Sequence, residues 1–305
     1  MIAVAGEALM DLVIDPSGSV VAVPGGGPFN AARVVARLGS PCRFVGRLSD
    51  DSLGVRLRTT LERDGVNIVV GDPVAAPTTL AVAEVDGAGA ARYRFYLDGT
   101  SAAELRPEHV PDSIHAGIDG LLLGGLGLVL EPMATTLLEL MSRLPAHVVV
   151  MVDPNCRPNA IPDPPAYRRR LAEFLVRADV VKVSTEDLQF LDPGASTARA
   201  ARAQLTHGPR VALVTDGAGP VTAYTDVSEV SVPVPSVVVV DTVGAGDAFA
   251  AAFLAWWVSR SCSREDLTDP HMLQEATVAA VEVATATCMG QGAHPAGLSH
   301  PRPSI

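Results

Sequence analysis

The chain has 305 residues, 48% of them hydrophobic and 19% charged, and a formal net charge of −11. That balance buries a sizeable core and excludes a disordered chain, while the acidic excess argues against a nucleic-acid-binding surface. No apolar run reaches the length of a membrane span, and Met1-Ile-Ala-Val-Ala-Gly6 enters a strand without a basic signal-peptide flank, so a cytoplasmic protein with no membrane partner is expected. The length fits one large α/β domain or two small ones. Cys42, Cys156, Cys262 and Cys288 lie too far apart for a C-x-x-C pair or a zinc ribbon and read as small buried fillers. Lys182 is the single lysine among mostly arginine cations.

Ile2–Ala5, a short apolar run ending at Gly6, fits a central strand of a parallel sheet. A second strand follows to Ile14, and Asp11 within it is a charge either exposed at an edge or used. An apolar stretch at 20–23 leads into Pro24-Gly-Gly26-Gly27-Pro-Phe-Asn30, then a helix over 31–38 stopped by Gly39. On spacing alone the glycines make an ordinary loop and Asn30 a helix cap. Between 67 and 97 the pattern changes: Thr79 to Val85, a glycine turn after Asp86, and Arg92 to Leu97 read as a β-hairpin. Strands without intervening helices do not belong in a doubly wound sheet, so a small β insertion is expected there.

Alternation then resumes, with a strand at 120–124, a helix over 132–144 and a buried strand over 147–152. The last of these ends in Asp153-Pro-Asn155-Cys-Arg157-Pro, which is either a proline-rich turn or a ligand site at a strand's carboxyl end. Another strand ends at Ser184-Thr-Glu186-Asp187, which fits a capped helix start. Residues 210–215 form a further strand, followed by a turn at Gly217 and a hairpin, and the last helix spans 278–288. Four valines at 237–240 read as a buried strand, Gly244-Ala245-Gly246 as a tight turn, and 248–258 as a helix. The amides of Gly244, Ala245 and Gly246 would then sit at the positive end of that helix, a place for a phosphate. Asp247 beside them is placed to take the proton from a hydroxyl attacking that phosphate.

Asp241-Thr-Val-Gly-Ala-Gly-Asp247-Ala-Phe resembles the second signature of the ribokinase-like (PfkB) carbohydrate kinase family. Gly25-Gly26-x-x-x-Asn30-x-Ala32, ending in Ala36-Arg-Leu-Gly39, is similar to the family's first, sugar-binding signature, and Phe44 to Gly54 to its next block. Gly6 to Asp11 most resembles the fructokinase branch, and residues 153–157 resemble the D-x-N-x-R element of fructokinase-like and ketodeoxygluconate-kinase-like members.

The resemblance implies a three-layer α/β/α ribokinase-like fold in one domain over 1–305, with a mostly parallel central sheet and a small β-sheet lid from segments near 11–23 and 67–98. It implies that Asp11 and Asn30 bind sugar hydroxyls, that Gly26 and Gly27 hinge the lid, and that Asp153, Asn155 and Arg157 flank the sugar or the transferring phosphate. Ser184 and Asp187 stand in the family's N-x-x-E positions, linked to magnesium and phosphate, with Glu186 between them; Lys182 is placed to assist a phosphate. Thr215 and Gly217 match its nucleotide element, and Gly292 its closing loop. Asp241 and the Val243 carbonyl match its monovalent-cation site. ATP, Mg2+ and K+ are the implied cofactors, and a homodimer through the lids is implied as well.

No G-x-x-x-x-G-K-[ST], H-R-D or D-F-G occurs, which excludes P-loop and protein-kinase chemistry. The expected reaction is transfer of the γ-phosphate of ATP to a primary hydroxyl, with Asp247 as base. Fructose is the first substrate expected, with ketodeoxygluconate, ribose or a nucleoside as alternatives. A sugar-binding regulator without turnover is the reading from a different class.

Overall fold

In the computed structural model, which describes residues 1–85 and 91–290, the chain opens with β1 (Ile2–Ala5), β2 (Leu9–Ile14), β3 (Val20–Gly25), α1 (Gly27–Arg37) and β4 (Cys42–Val45). Next come α2 (Ser52–Arg63), β5 (Asn67–Ile68), β6 (Leu80–Val85), β7 (Ala91–Tyr96), β8 (Gly120–Gly124) and α3 (Met133–Ser142). β9 (Val149–Asp153), α4 (Pro164–Leu175), β10 (Val180–Ser184), α5 (Thr185–Leu191), α6 (Thr197–Leu205) and β11 (Val211–Thr215) follow. The described chain ends with β12 (Val221–Tyr224), β13 (Glu229–Val232), α7 (Ala245–Ser259) and α8 (Pro270–Cys288).

Nine strands form one sheet in the order β13-β12-β11-β10-β9-β8-β1-β4-β5, parallel except for the antiparallel β12. β1 is apolar on both sides because both faces are covered. Ile2 and Val4 enter the core under α1, α2, α7 and α8, while Ala3 and Ala5 enter the core under α3, α4, α5 and α6. The second sheet, β3-β2-β6-β7, pairs β2 and β6 in parallel and the rest antiparallel. It meets the body through a small apolar cluster of Leu9, Ala81, Leu126 and Ala160, with Phe95 and Leu97 packed beside it.

Three elements differ from expectation. Residues 67–68, expected in the β-sheet lid, pair with β4 in the large sheet as β5, so the later segment of the small sheet starts at Leu80. Residues 237–240 form no strand: Val238 is 86% exposed, and the backbone N–H groups of Val240 and Asp241 both reach the Cys288 carbonyl at the end of α8. The backbone of this stretch is tied to the end of α8 and makes no ladder with the edge strand β13. The last helix begins at Pro270, where Asp269 caps it, instead of at 278. The turn expected after Asp86 and the loop holding Gly292 lie outside the described residues.

Candidate active site

Register brings the carboxyl ends of the parallel strands level. Gly124 at the end of β8 pairs with Asp153 of β9, and Ser184 of β10 pairs with Thr215 of β11. Ligands bind at such strand ends in open α/β sheets, and most of the predicted residues converge here.

On the first side, α1 begins directly on the end of β1. A Cβ on Gly6 would strike the Pro28 ring at 2.5 Å, so only glycine lets the helix seat so closely. Asn30, 4% exposed, donates from Nδ2 to Asp247 Oδ2 at 2.9 Å, across 217 residues. A Cβ on Gly27 would stand 3.2 Å from both Asn155 Nδ2 and Asp247 Oδ1, so the backbone itself walls the site there. Gly25 makes room in the same way for the Asp11 carboxylate. Asn155 adopts φ of 41°, a left-handed conformation that asparagine tolerates and that turns its amide inward. Gly27, Gly124, Gly125, Asp153, Asn155 and Asp247 line one half-open cavity. The buried Asn30 Oδ1 and Asp153 Oδ1 have no partner among the described residues, which leaves two acceptors for a ligand's hydroxyls.

α7 supplies the second side. Gly244 is its N-cap, with φ of 79° and no side-chain cap. The anion site is narrower than the sequence implies, because the Ala245 N–H turns back to the Thr242 carbonyl at 3.3 Å. Gly246 lies over the only lysine: an added Cβ would sit 2.9 Å from Lys182 Nζ. That ammonium donates to Asp153 Oδ2 at 3.0 Å, both side chains being under 10% exposed. Lys182 is thus a fixed charge beneath the turn that opens α7.

The third side is the start of α5. Ser184 and Asp187 form a reciprocal capping box, and Asp187 Oδ1 also accepts from the Cys156 N–H at 2.7 Å. Expected as a metal ligand, Asp187 is here a buried brace joining β10 to the 153–157 loop. Glu186 next to it is exposed. Thr185 Oγ1 donates to Asp216 Oδ1 at 2.9 Å, Thr215 Oγ1 points to the Val183 carbonyl at 3.5 Å, and Gly217 turns with φ of 53°. Asp241 Oδ1 accepts from the Val243 N–H at 3.0 Å, closing the loop before α7.

Burial dominates the acid–base balance. It pushes the Asp247 carboxyl above its ordinary range, against the Asn30 amide and the charges of Lys182 and Arg157. Asp11 is pushed up to about 6 by burial, with Arg157 opposing and Asp247 adding. Asp153 is likewise raised to about 6 by burial, with Lys182 opposing. Burial works against the Lys182 ammonium, yet Asp153, Asp187 and Asp247 together hold it above its ordinary value. Glu7, which no spacing singles out, is 3% exposed in the same cluster.

The profile of the "pfkB family carbohydrate kinase" matches residues 1–297. A fructokinase from Rhizobium leguminosarum bv. trifolii is 34% identical over 261 residues, covering 84% of this chain and 79% of the relative. The crystal structure of a fructokinase from Xylella fastidiosa with bound ATP superposes with a TM-score of 0.86 at 31% identity, covering 96% of this chain and 93% of that one. An aminoimidazole riboside kinase from Salmonella enterica, complexed with its riboside and an ATP analogue, gives a TM-score of 0.86 at 27% identity, with 98% and 97% covered. With both signatures meeting in one cavity and the family profile spanning nearly the whole sequence, the chain belongs to the pfkB family of carbohydrate kinases.

Proposed function

We propose that the protein is a fructokinase-like enzyme in which Asp247 takes the proton from a primary hydroxyl of a small neutral sugar as that oxygen attacks the γ-phosphate of ATP. The observation that carries this reading is the Asn30–Asp247 hydrogen bond, which aims a carboxylate of raised basicity into the cavity walled by Gly27 and Asn155. Asn30 fixes one carboxylate oxygen and leaves the other toward the sugar. The start of α7, with Lys182 beneath Gly246, is the positive surface for the transferring group. Asp11, Asn155 and the open oxygens of Asn30 and Asp153 would hold the sugar, with Arg157 at its rim.

The charge of the cleft favours a neutral sugar over a sugar acid: Asp11, Asp153 and Asp247 face the two cations Lys182 and Arg157. The relatives' names as fructokinases point the same way. ATP would lie along Thr215 and Gly217. The exposed Glu186 carboxylate at the start of α5 suits a hydrated Mg2+, which would neutralise charge on the phosphates; Asp187 contributes by holding that turn. The loop closed by Asp241 and Val243 offers oxygens of the kind K+ takes. The second sheet would act as a lid over the sugar, hinged at Gly26 and Gly27, and would limit ATP hydrolysis by water.

The test is ADP release with Mg-ATP and K+ across fructose, ketodeoxygluconate, ribose and nucleosides, beside Asp247→Asn. Turnover of fructose, lowered by about 10²–10⁴-fold in Asp247→Asn with an unchanged melting temperature, is the expected result. Turnover that survives the substitution removes Asp247 from the mechanism. Tight sugar binding without turnover makes the protein a sugar-binding regulator.

A further inference from the structure

Glu7 stands between β1 and β2 with a buried carboxyl whose two oxygens go to two different turns. Oε1 accepts from the Gly27 N–H at 3.3 Å, and Oε2 accepts from the Gly127 N–H at 3.2 Å. Gly27 opens α1, which carries Asn30 and walls Asp247. Gly127 belongs to the short 3-10 turn Gly125–Leu128, directly after β8, whose Gly124 packs on the Asp153 backbone. Both turns contribute to the lining of the cavity, Gly27 from the start of α1 and Gly124 and Gly125 from the end of β8.

Both turns are shaped around this glutamate. Gly125 has φ of 58°, and a Cβ there would stand 2.5 Å from Glu7 Oε1. Gly26 has φ of 106°, and a Cβ there would stand 2.9 Å from the Glu7 carbonyl oxygen. Gly125 accepts no side chain while the Glu7 carboxylate is in place, and Gly26 accepts none because it lies against the main chain at position 7. Among the described residues no cation pairs with Glu7, unlike Asp153 with Lys182. Burial pushes its carboxyl up to about 8, its hydrogen bonds opposing and the nearby Asp247 adding.

We propose that Glu7 is a positioning residue, a cross-brace that sets the distance between the α1 wall and the β8 wall of the sugar cavity. It rests on the sugar-kinase reading and deepens it. Without the brace the Gly27 and Gly127 amides lose their acceptor, the walls part, and sugar contacts split between Asn30 on one wall and Asp153 on the other are no longer made together. ATP, placed on the strand ends farther along the sheet, is unaffected.

The test compares Glu7→Gln and Glu7→Ala with the wild type, using whichever sugar the wild type turns over best. Glutamine keeps the volume and one acceptor but presents an NH2 to one of the two N–H donors. The expected result is a rise of about fivefold in sugar KM for Glu7→Gln and more for Glu7→Ala, with ATP KM within about twofold. Amide hydrogen exchange should quicken at both turns, around 26–28 and 125–128. A lowered melting temperature with an unchanged sugar KM in Glu7→Gln overturns the proposal and leaves Glu7 a packing residue. If Glu7→Ala fails to fold, Glu7→Gln decides. If the wild type turns over no sugar, the kinase reading fails by itself, and exchange unchanged at either turn in Glu7→Gln still overturns the brace.

Discussion

Lys182 separates charge from packing at the scale of one residue. Replacing it with methionine keeps most of the buried volume and strands the Asp153 carboxylate, 6% exposed, without its cation. Breaking a buried pair in this way costs about 3–5 kcal/mol, so Lys182→Met should show a large loss of stability in a urea melt. Arginine is no rescue, because a wider head group must fit where Gly246 already confines Nζ. Asp11 and Asp153 make a second prediction. Both are raised to about 6, so the folded chain binds their protons more tightly than the unfolded one. Their stabilising effect is present below about pH 4 and is lost as the pH rises through about 6. Activity has the opposite sign on the proposed reading, because an ionised Asp11 would accept sugar hydroxyls better. The kcat/KM for sugar should therefore rise through about pH 6, and Asp11→Asn should remove the share of that limb that Asp11 carries and leave the share of Asp153 and Asp247 in a pH–rate profile.

At the scale of elements, α1 and α2 are tied by Asp64, whose fully buried carboxylate accepts from Arg33 Nε at 2.6 Å and Arg37 Nη2 at 2.8 Å. Burial pushes this carboxyl up, but Arg37 and Arg33 outweigh it and hold it below its ordinary value. Its contribution is thus present above the ordinary carboxylate pKa and lost as the pH falls through the lowered one. Asp64→Ala leaves Arg33 buried and unpaired; a loss of about 3–5 kcal/mol is expected at pH 7, and the gap to wild type should narrow in acid. Elements of this kind were legible where the signal is local. Ser184-x-x-Asp187 reads as a helix start and is one, and Gly244-Ala-Gly246 reads as a tight turn into a helix and is one. The valines at 237–240 misled because β-propensity describes a side chain that fits a sheet, whereas here the backbone donates its hydrogen bonds to the end of α8. The long-range contacts of Asp187 and Glu7 were not legible. Their partners lie 31, 20 and 120 residues away, at distances no spacing rule spans.

Over the whole molecule, the decisive relation is between the small sheet and the body. The sheet rests on few apolar residues, Leu9 and Ala81 on one side against Leu126 and Ala160 on the other, far fewer than the clusters on either face of the large sheet. A polar contact joins this patch: Asn159 Nδ2, on the turn that follows Arg157, donates to the Tyr93 carbonyl of β7 at 3.1 Å. The loop bearing Asn155 and Arg157 therefore continues straight into a clasp on the proposed lid, so lid position and the rim of the sugar site are mechanically one. A single exposed hydrogen bond contributes about 1 kcal/mol, or about a fivefold change in an equilibrium constant. Asn159→Ala should leave the melting temperature of the body nearly unchanged, since no core residue moves. Sugar KM should rise by about fivefold, and ADP released per sugar phosphorylated should increase as water gains access to the γ-phosphate. Coupled ADP assays against direct quantification of sugar phosphate measure both effects. Unchanged KM and unchanged coupling would mean that the apolar patch alone seats the lid, and the same assay on Ala160→Asp would then locate the contact that does.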